Sequence, residues 1–233
     1  MSTTNCGRLS LASNWQERVN LPAYLAREVA NIAGVSPQTV SGWFYGYPHS
    51  EGERGIPVFR EGKRRRVALS YLQLVEVAYV ATCRKQGISL KRIKRARAYL
   101  AQAFKVEHPF ADLQMLTAGP HILAEMGVDE LVVADRFGQI GWKSFMLERI
   151  AEFEFDQESS LALRWFPRGR RVPVLVDPRI NFGRPILARS GVATWAVADA
   201  LRSGEDPDDI KLDFGVDDEE IIAAEAFEKL KAA

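Results

Sequence analysis

The chain has 233 residues, of which 47% are hydrophobic and 26% charged, an ordinary composition for a folded protein with room for two small domains. It contains no apolar run long enough to cross a bilayer, and its start, MSTTNCGRLSLASNW, lacks the basic-then-apolar pattern of a signal peptide, so a cytoplasmic protein without membrane contact is expected. Two isolated cysteines (Cys6, Cys83) and three scattered histidines (His49, His108, His121) offer neither a disulfide framework nor a zinc site, and no cofactor is expected. The net charge of +1 hides an asymmetry: residues 1–110 hold 17 Lys and Arg against 7 Asp and Glu, while the remainder holds 14 against 23. A basic half joined to an acidic half points to two kinds of partner.

In chain order, AREVANIAGVSPQTVSGWF (26–44) reads as two short helices broken at Gly34. Ser36 is a good N-cap, Pro37 suits the first helical position, and Val35 with Val40 forms a hydrophobic staple. Val40, Trp43 and Phe44 continue the buried face. The pattern predicts a helix-turn-helix. On its second helix Ser36, Gln38, Thr39 and Ser41 are candidates for base contacts, because short polar side chains at a helix start reach base edges in the major groove. Tyr45 is within reach of a phosphate. IPVFREGKRRRVAL (56–69) predicts a β-hairpin, with Pro57-Val58-Phe59 as one strand and a turn at Glu61-Gly62. Its basic tip, Lys63, Arg64, Arg65 and Arg66, suits phosphates. Ser70 and Ser89 then cap two longer helices. The second places Lys91, Arg92, Lys94, Arg95 and Arg97 on its outer face.

From about residue 111 short strands follow: HILAEM, ELVVAD, EFEFD, SLALRWF and VPVLVD, with turns at DRFGQ (135–139) and PRGRR (167–171). After Pro178 the chain turns helical through TWAVADALR, PDDIKLDF and DDEEIIAAEAFEKL. Asp206 and Asp217 are N-caps, and Asp217 with Glu220 forms a capping box. The last two helices share a helix-turn-helix layout, yet their charge is wrong for DNA. Capping accounts for Asp217, Asp218, Glu219 and Glu220. It leaves Asp208, Asp209, Asp213, Glu225 and Glu228 to face a partner. No GxxxxGK[ST], HExxH or GxSxG occurs, and the chain is not expected to be an enzyme.

Two family resemblances attach to these residues. The stretches AREVANIAGVSPQTVSGWF, RRRVALSYLQLVEVAYV and GISLKRIKRA resemble the winged helix-turn-helix of the MerR type over the first 100 residues. That resemblance implies DNA binding as a dimer. The long coiled-coil helix and cysteine ligands of the metal- and drug-sensing members are missing. The stretch 176–227 resembles a domain of unknown function found in VapB-type antitoxins, with Asp177-Pro178, Gly183-Arg184-Pro185, Gly204-Glu205, Ile210, Phe214-Gly215 and Ala223-Ala224 matching. At Arg189-Ser190 that family often has Gly-Thr. Together the resemblances imply the antitoxin of a toxin–antitoxin module, with a PIN-like ribonuclease toxin as protein partner and operator DNA as the second. Arg179, Arg184 and Arg189 lie in the loops of the second motif and are candidates to meet the acidic metal site of such a nuclease. The expected architecture is α+β: a winged helix-turn-helix over 20–110, a β-rich segment over 111–176 and an antitoxin-type helical domain over 177–233. The chain is expected to be a homodimer, since two half-sites add affinity. The alternatives are a MerR-like transcription regulator without a toxin and an accessory DNA-binding protein of a phage or plasmid.

Overall fold

The computed structural model describes residues 15–47, 55–59, 68–114 and 150–232. The hairpin tip Lys63, Arg64, Arg65 and Arg66, the strands HILAEM and ELVVAD and the turn DRFGQ lie outside the described residues, as do Cys6, His49 and His121. The fold is mixed helix and small antiparallel sheets, the expected α+β class.

A one-turn α1 (Trp15–Arg18) precedes α2 (Ala26–Ala33) and α3 (Pro37–Tyr45). Leu25, before α2, has no polar side chain to cap with. The Glu28 carboxylate accepts the Leu25 N–H instead, at 2.7 Å. Gly34 ends α2 at φ +67, the left-handed conformation in which a Cβ is strained. Its N–H returns to Asn31 and that of Val35 to Ala30, closing the last turn. Ser36 then caps α3 by accepting the Thr39 N–H at 3.1 Å, as its spacing predicts. Val40, Trp43 and Phe44 are buried.

The segment Pro57-Val58-Phe59 is a bend rather than the expected strand. The N–H groups of Val58 and Phe59 both donate to the Trp43 carbonyl at the end of α3, so they are not available to a ladder. The returning chain does pair, but with Tyr24: Leu69 forms an antiparallel bridge to it.

Ser70 and Gln73 form a reciprocal capping box at the start of α4 (Tyr71–Lys85). This helix is buried on nearly every side and is the pillar of the first core. Ser89 caps α5 (Leu90–Phe104). The buried face of α5, Ile93, Ala96 and Leu100, is the expected one, but Arg97 turns inward. Its guanidinium forks onto the fully buried Glu76 of α4 at 3.0 and 2.8 Å.

Three of the expected strands are present. β1 (Phe153–Phe155) pairs antiparallel with β2 (Ala162–Trp165), in register Phe153 to Trp165, with an irregularity after Glu154. β3 (Val174–Leu175) pairs with β4 (Ile186–Leu187), and Trp165 bridges to Val176. Phe153, Ala162, Trp165 and Val176 complete the core that begins at Val19. A second core gathers Val174, Leu187, Val197, Ile210, Val216, Ile221 and Phe227. It lies between the β3–β4 hairpin and the helices α6 (Thr194–Arg202), α7 (Pro207–Phe214) and α8 (Asp218–Ala232). No helix among the described residues is long and apolar enough to cross a membrane.

Candidate interaction surfaces

The first surface is the start of α3. Ser36, Gln38 and Thr39 lie together in its first turn, but their side chains differ in freedom. The Ser36 and Thr39 hydroxyls bond each other at 2.9 Å, and Ser36 also holds the cap. Gln38 is exposed, Ser41 half-buried, and Tyr45 packs partly against the core. Arg84 and Lys85 line a groove with Thr39 and Tyr47 beside this helix. Charge alone did not single these two out, since they close α4 some forty residues away in sequence. Of the cations expected on α5, Lys91 and Arg95 are exposed, whereas Lys94 Nζ donates to the Ile56 carbonyl. Arg97 is a correction: its charge belongs to Glu76, not to the outer face.

The second surface is built around Asp177. Its carboxylate is fully buried yet accepts four donors. Arg179 donates from its backbone N–H (2.9 Å), Nε (3.0 Å) and Nη2 (2.7 Å), and Arg164 from Nε (2.8 Å). Burial alone would raise the pKa of Asp177. The bonds from Arg179 and then Arg164 outweigh it and hold the carboxyl below its ordinary value. Arg179 is thereby occupied within the chain.

The loop that follows is unusual. Asn181 and Phe182 both adopt positive φ, +48 and +55. Asparagine tolerates this; for a bulky aromatic it is an outlier that persists only where neighbours over-determine it. Here they do. Gly183 N–H donates to Ile180 and Arg184 N–H to Asn181. The Tyr24 hydroxyl donates to the Gly183 carbonyl at 2.8 Å, across 159 residues of chain. A Cβ at Gly183 would stand 1.9 Å from that hydroxyl, so the position needs glycine for close approach as well as for its φ of +73. The result is that Phe182 is held outward, 84% exposed. Arg184, beside it, is 55% exposed, and its one ion pair among the described residues is to Glu28 at a loose 3.9 Å.

The remaining acidic candidates sort by partner. Arg189 is spent within the tail: its guanidinium holds Asp217 at 2.7 Å and Glu219 at 2.9 Å. Asp217 caps α8 by accepting the Glu220 N–H, as expected. The Glu220 carboxylate does not return to Asp217. It is buried and accepts the Arg189 and Ser190 N–H groups at 2.9 and 3.1 Å. Glu228 is a correction. Expected on an open face, it is 8% exposed and accepts the Thr194 hydroxyl at 2.6 Å, which removes it from any partner. Asp208 pairs with Lys211 and Glu225 with Lys229. Asp209 and Asp213 are exposed and have no ion pair among the described residues.

Beside the second surface is a pocket of about 350 Å³, walled by Tyr24, by Glu28, Asn31 and Ile32 of α2 and by Arg184, Pro185 and Trp195 of the C-terminal unit. Arg168 ties the same two parts together. One guanidinium nitrogen donates to the Ile32 carbonyl at 3.4 Å, and the group lies over the Phe227 ring at 5.0 Å. Among the described residues no group of three or more His, Cys, Asp and Glu is placed to hold a metal ion.

Residues 174–227 match a family model described as a protein of unknown function (DUF433). Across most of its length the chain is similar to two proteins of Mycobacterium tuberculosis. One is named "Putative antitoxin VapB45", 24% identical over 217 residues, covering 85% of this chain and 90% of that protein. The other is named "Uncharacterized protein Rv2308", 22% identical over 201 residues, covering 83% and 84%. The crystal structure of Rv2018 from the same organism shares the fold, with a TM-score of 0.68 at 22% identity over 89% of this chain and 99% of that one. The chain is a distant, nearly full-length relative of a protein that carries an antitoxin's name.

Proposed function

We propose that the chain is the antitoxin of a toxin–antitoxin pair. In this reading its C-terminal unit binds and silences a PIN-like ribonuclease. The α2–α3 unit binds operator DNA as part of a homodimer and represses the chain's own synthesis. The observation that carries the first half is the 180–185 loop, where a strained, outward Phe182 stands beside a loosely paired Arg184. Aromatic and arginine side chains are the usual anchors of protein interfaces. A nuclease that holds metal with carboxylates presents an acidic centre, and a guanidinium is its electrostatic complement. Arg179 and Arg189 serve the chain's own acids, so Arg184 is the arm among the three. The acids left open, Asp209 and Asp213, suit the basic RNA-binding rim around such a centre. The likeness to a protein named as an antitoxin supports the same reading.

The test is calorimetric titration of the full chain with the protein encoded by the adjoining reading frame. Phe182→Ala and Arg184→Glu each weaken binding about thirtyfold or more, the loss of about 2 kcal/mol that defines an anchor residue. Leu212→Ala, at an exposed site on α7, leaves it unchanged. Wild-type affinity in both loop variants removes the loop from the interface.

The second half draws on the exposed Gln38 at the start of α3. Gln38→Ala reduces the preference for operator over random DNA. Replacing Arg64, Arg65 and Arg66 together with alanine lowers the salt slope of binding by about one for each phosphate that is no longer neutralised. An unchanged slope contradicts a phosphate role for the tip. A transcription regulator without a toxin rests on the same α3 face, and it predicts operator binding with no effect on any ribonuclease.

A further inference from the structure

The C-terminal family match begins at residue 174, and the anchors proposed above all lie within it. The pocket beside Arg184 does not. Glu28, Asn31 and Ile32 of its wall come from α2, and Tyr24 just precedes that helix. Ile32, Pro185 and the Tyr24 ring give it apolar sides, and Trp195 stands 51% exposed at its edge. Such a combination, a mostly apolar hollow with a few polar groups at the rim, is the general form of a binding site.

The rim is electrostatically incomplete. One Glu28 oxygen is committed to the Leu25 N–H at 2.7 Å, capping α2. The other stands 3.9 Å from Arg184, beyond hydrogen-bond range. Arg184 therefore carries a positive charge into the pocket mouth without a close counter-ion among the described residues. The position of the mouth follows from two ties between the two parts: Tyr24 to Gly183, and Arg168, which bridges the Ile32 carbonyl and the Phe227 ring.

We infer that this pocket is a composite docking site, in which α2 and the C-terminal unit together receive a segment of the partner ribonuclease bearing a large apolar side chain beside a carboxylate. The apolar group enters between Ile32, Pro185 and Trp195, and the carboxylate completes the ion pair that Glu28 leaves open at Arg184. This inference rests on the antitoxin reading for the identity of the partner. It adds that the partner's footprint crosses onto the N-terminal unit, through residues more than 150 positions away from Arg184 in the chain.

The experiment uses the full chain and the protein encoded by the adjoining reading frame, with affinity measured by calorimetry and self-association by sedimentation velocity. Asn31→Glu places bulk and negative charge in the mouth from the α2 side, where it competes with the partner's carboxylate for Arg184, and Trp195→Ala removes the exposed wall. Each is expected to weaken partner binding at least tenfold. Asn31→Asp, a milder change should the glutamate variant fold poorly, adds the same charge without the bulk and weakens it at least threefold. Ile222→Ala, exposed on α8 and outside the pocket, is expected to bind as wild type. Wild-type affinity in Asn31→Glu or, if that variant does not fold, in Asn31→Asp overturns the composite site while the antitoxin reading stands. Loss of self-association in Trp195→Ala at unchanged partner affinity makes the occupant a second copy of this chain and also overturns it. Absence of binding by the wild-type chain overturns both readings.

Discussion

Glu76→Ala lowers the unfolding free energy by about 3–5 kcal/mol, the range for breaking a buried ion pair from one side. Glu76 has no solvent exposure, and its carboxylate holds three things at once. Arg97 of α5 donates to both oxygens, His108 Nδ1 lies 3.0 Å from Oε2, and the Phe110 N–H reaches Oε1 at 3.4 Å. Alanine leaves a guanidinium with 14% of its side-chain surface exposed and no carboxylate opposite it. Burying an unmatched charge is what makes the loss large. The effect extends to the α3 surface proposed above to meet operator DNA. Arg97 lies over the Phe59 ring at 5.0 Å, and Phe59 packs at 4.6 Å on Phe44 of α3. Urea unfolding measures the first effect, and operator affinity well below the midpoint measures the second. Glu76→Gln keeps the shape and an acceptor for Arg97, and loses less of both. A midpoint unchanged in Glu76→Ala contradicts the assignment of this cluster as the tie between α4 and α5.

Asp177→Ala is expected to cost about 3 kcal/mol, the lower part of the same range. The carboxylate is buried, but Arg164 and Arg179 each keep about a third of their side-chain surface in water, which softens the loss. For a chain of this length, 3 kcal/mol lowers the midpoint of thermal unfolding by about 6–12 °C. Partner binding falls as well, because Asp177 anchors the start of the loop that presents Phe182 and Arg184. The pH dependence has a definite sign. The folded-state pKa of Asp177 lies below its unfolded value near 3.9, so its contribution is fully present above that value and is lost as pH falls through the folded pKa. The difference between wild type and Asp177→Asn is therefore constant near neutrality and shrinks only in acid below about pH 4. A difference that shrinks on raising the pH from 5 to 8 contradicts this account.

Local chemistry was legible in the sequence, and long-range pairing was not. Ser36, Ser70, Ser89, Asp206 and Asp217 all cap helices as their spacing predicts, because a cap involves residues only two or three positions apart. The C-terminal helices stand where their apolar periodicity places them. Charged residues are harder, since periodicity reads every one as outward. Arg97, Glu220 and Glu228 turn inward because partners 21 to 34 positions away wait for them. The acidic tail that looked open for a partner is therefore largely self-satisfied. Pro57-Val58-Phe59 reads as a strand by composition, but the end of α3 offers its N–H groups a nearer acceptor.

The candidate site followed the same division. Arg179, Arg184 and Arg189 were equivalent in sequence, and only the fold separates the two that are spent from the one that is loosely held. Phe182 was missed as a site residue. Its local signal was present in Asn181-Phe182-Gly183, an aromatic between two residues that favour the left-handed conformation. The contribution of α2 to the pocket had no local signal at all, because it depends on Tyr24 meeting Gly183.

The central claim, that this chain silences a ribonuclease, is tested most directly by titrating the purified full chain into the purified protein of the adjoining reading frame while following cleavage of RNA. Cleavage is expected to fall in proportion to added chain and to stop near equivalence, with Arg184→Glu requiring a large excess for the same effect. RNA cleavage that continues undiminished with the wild-type chain in excess would contradict the account.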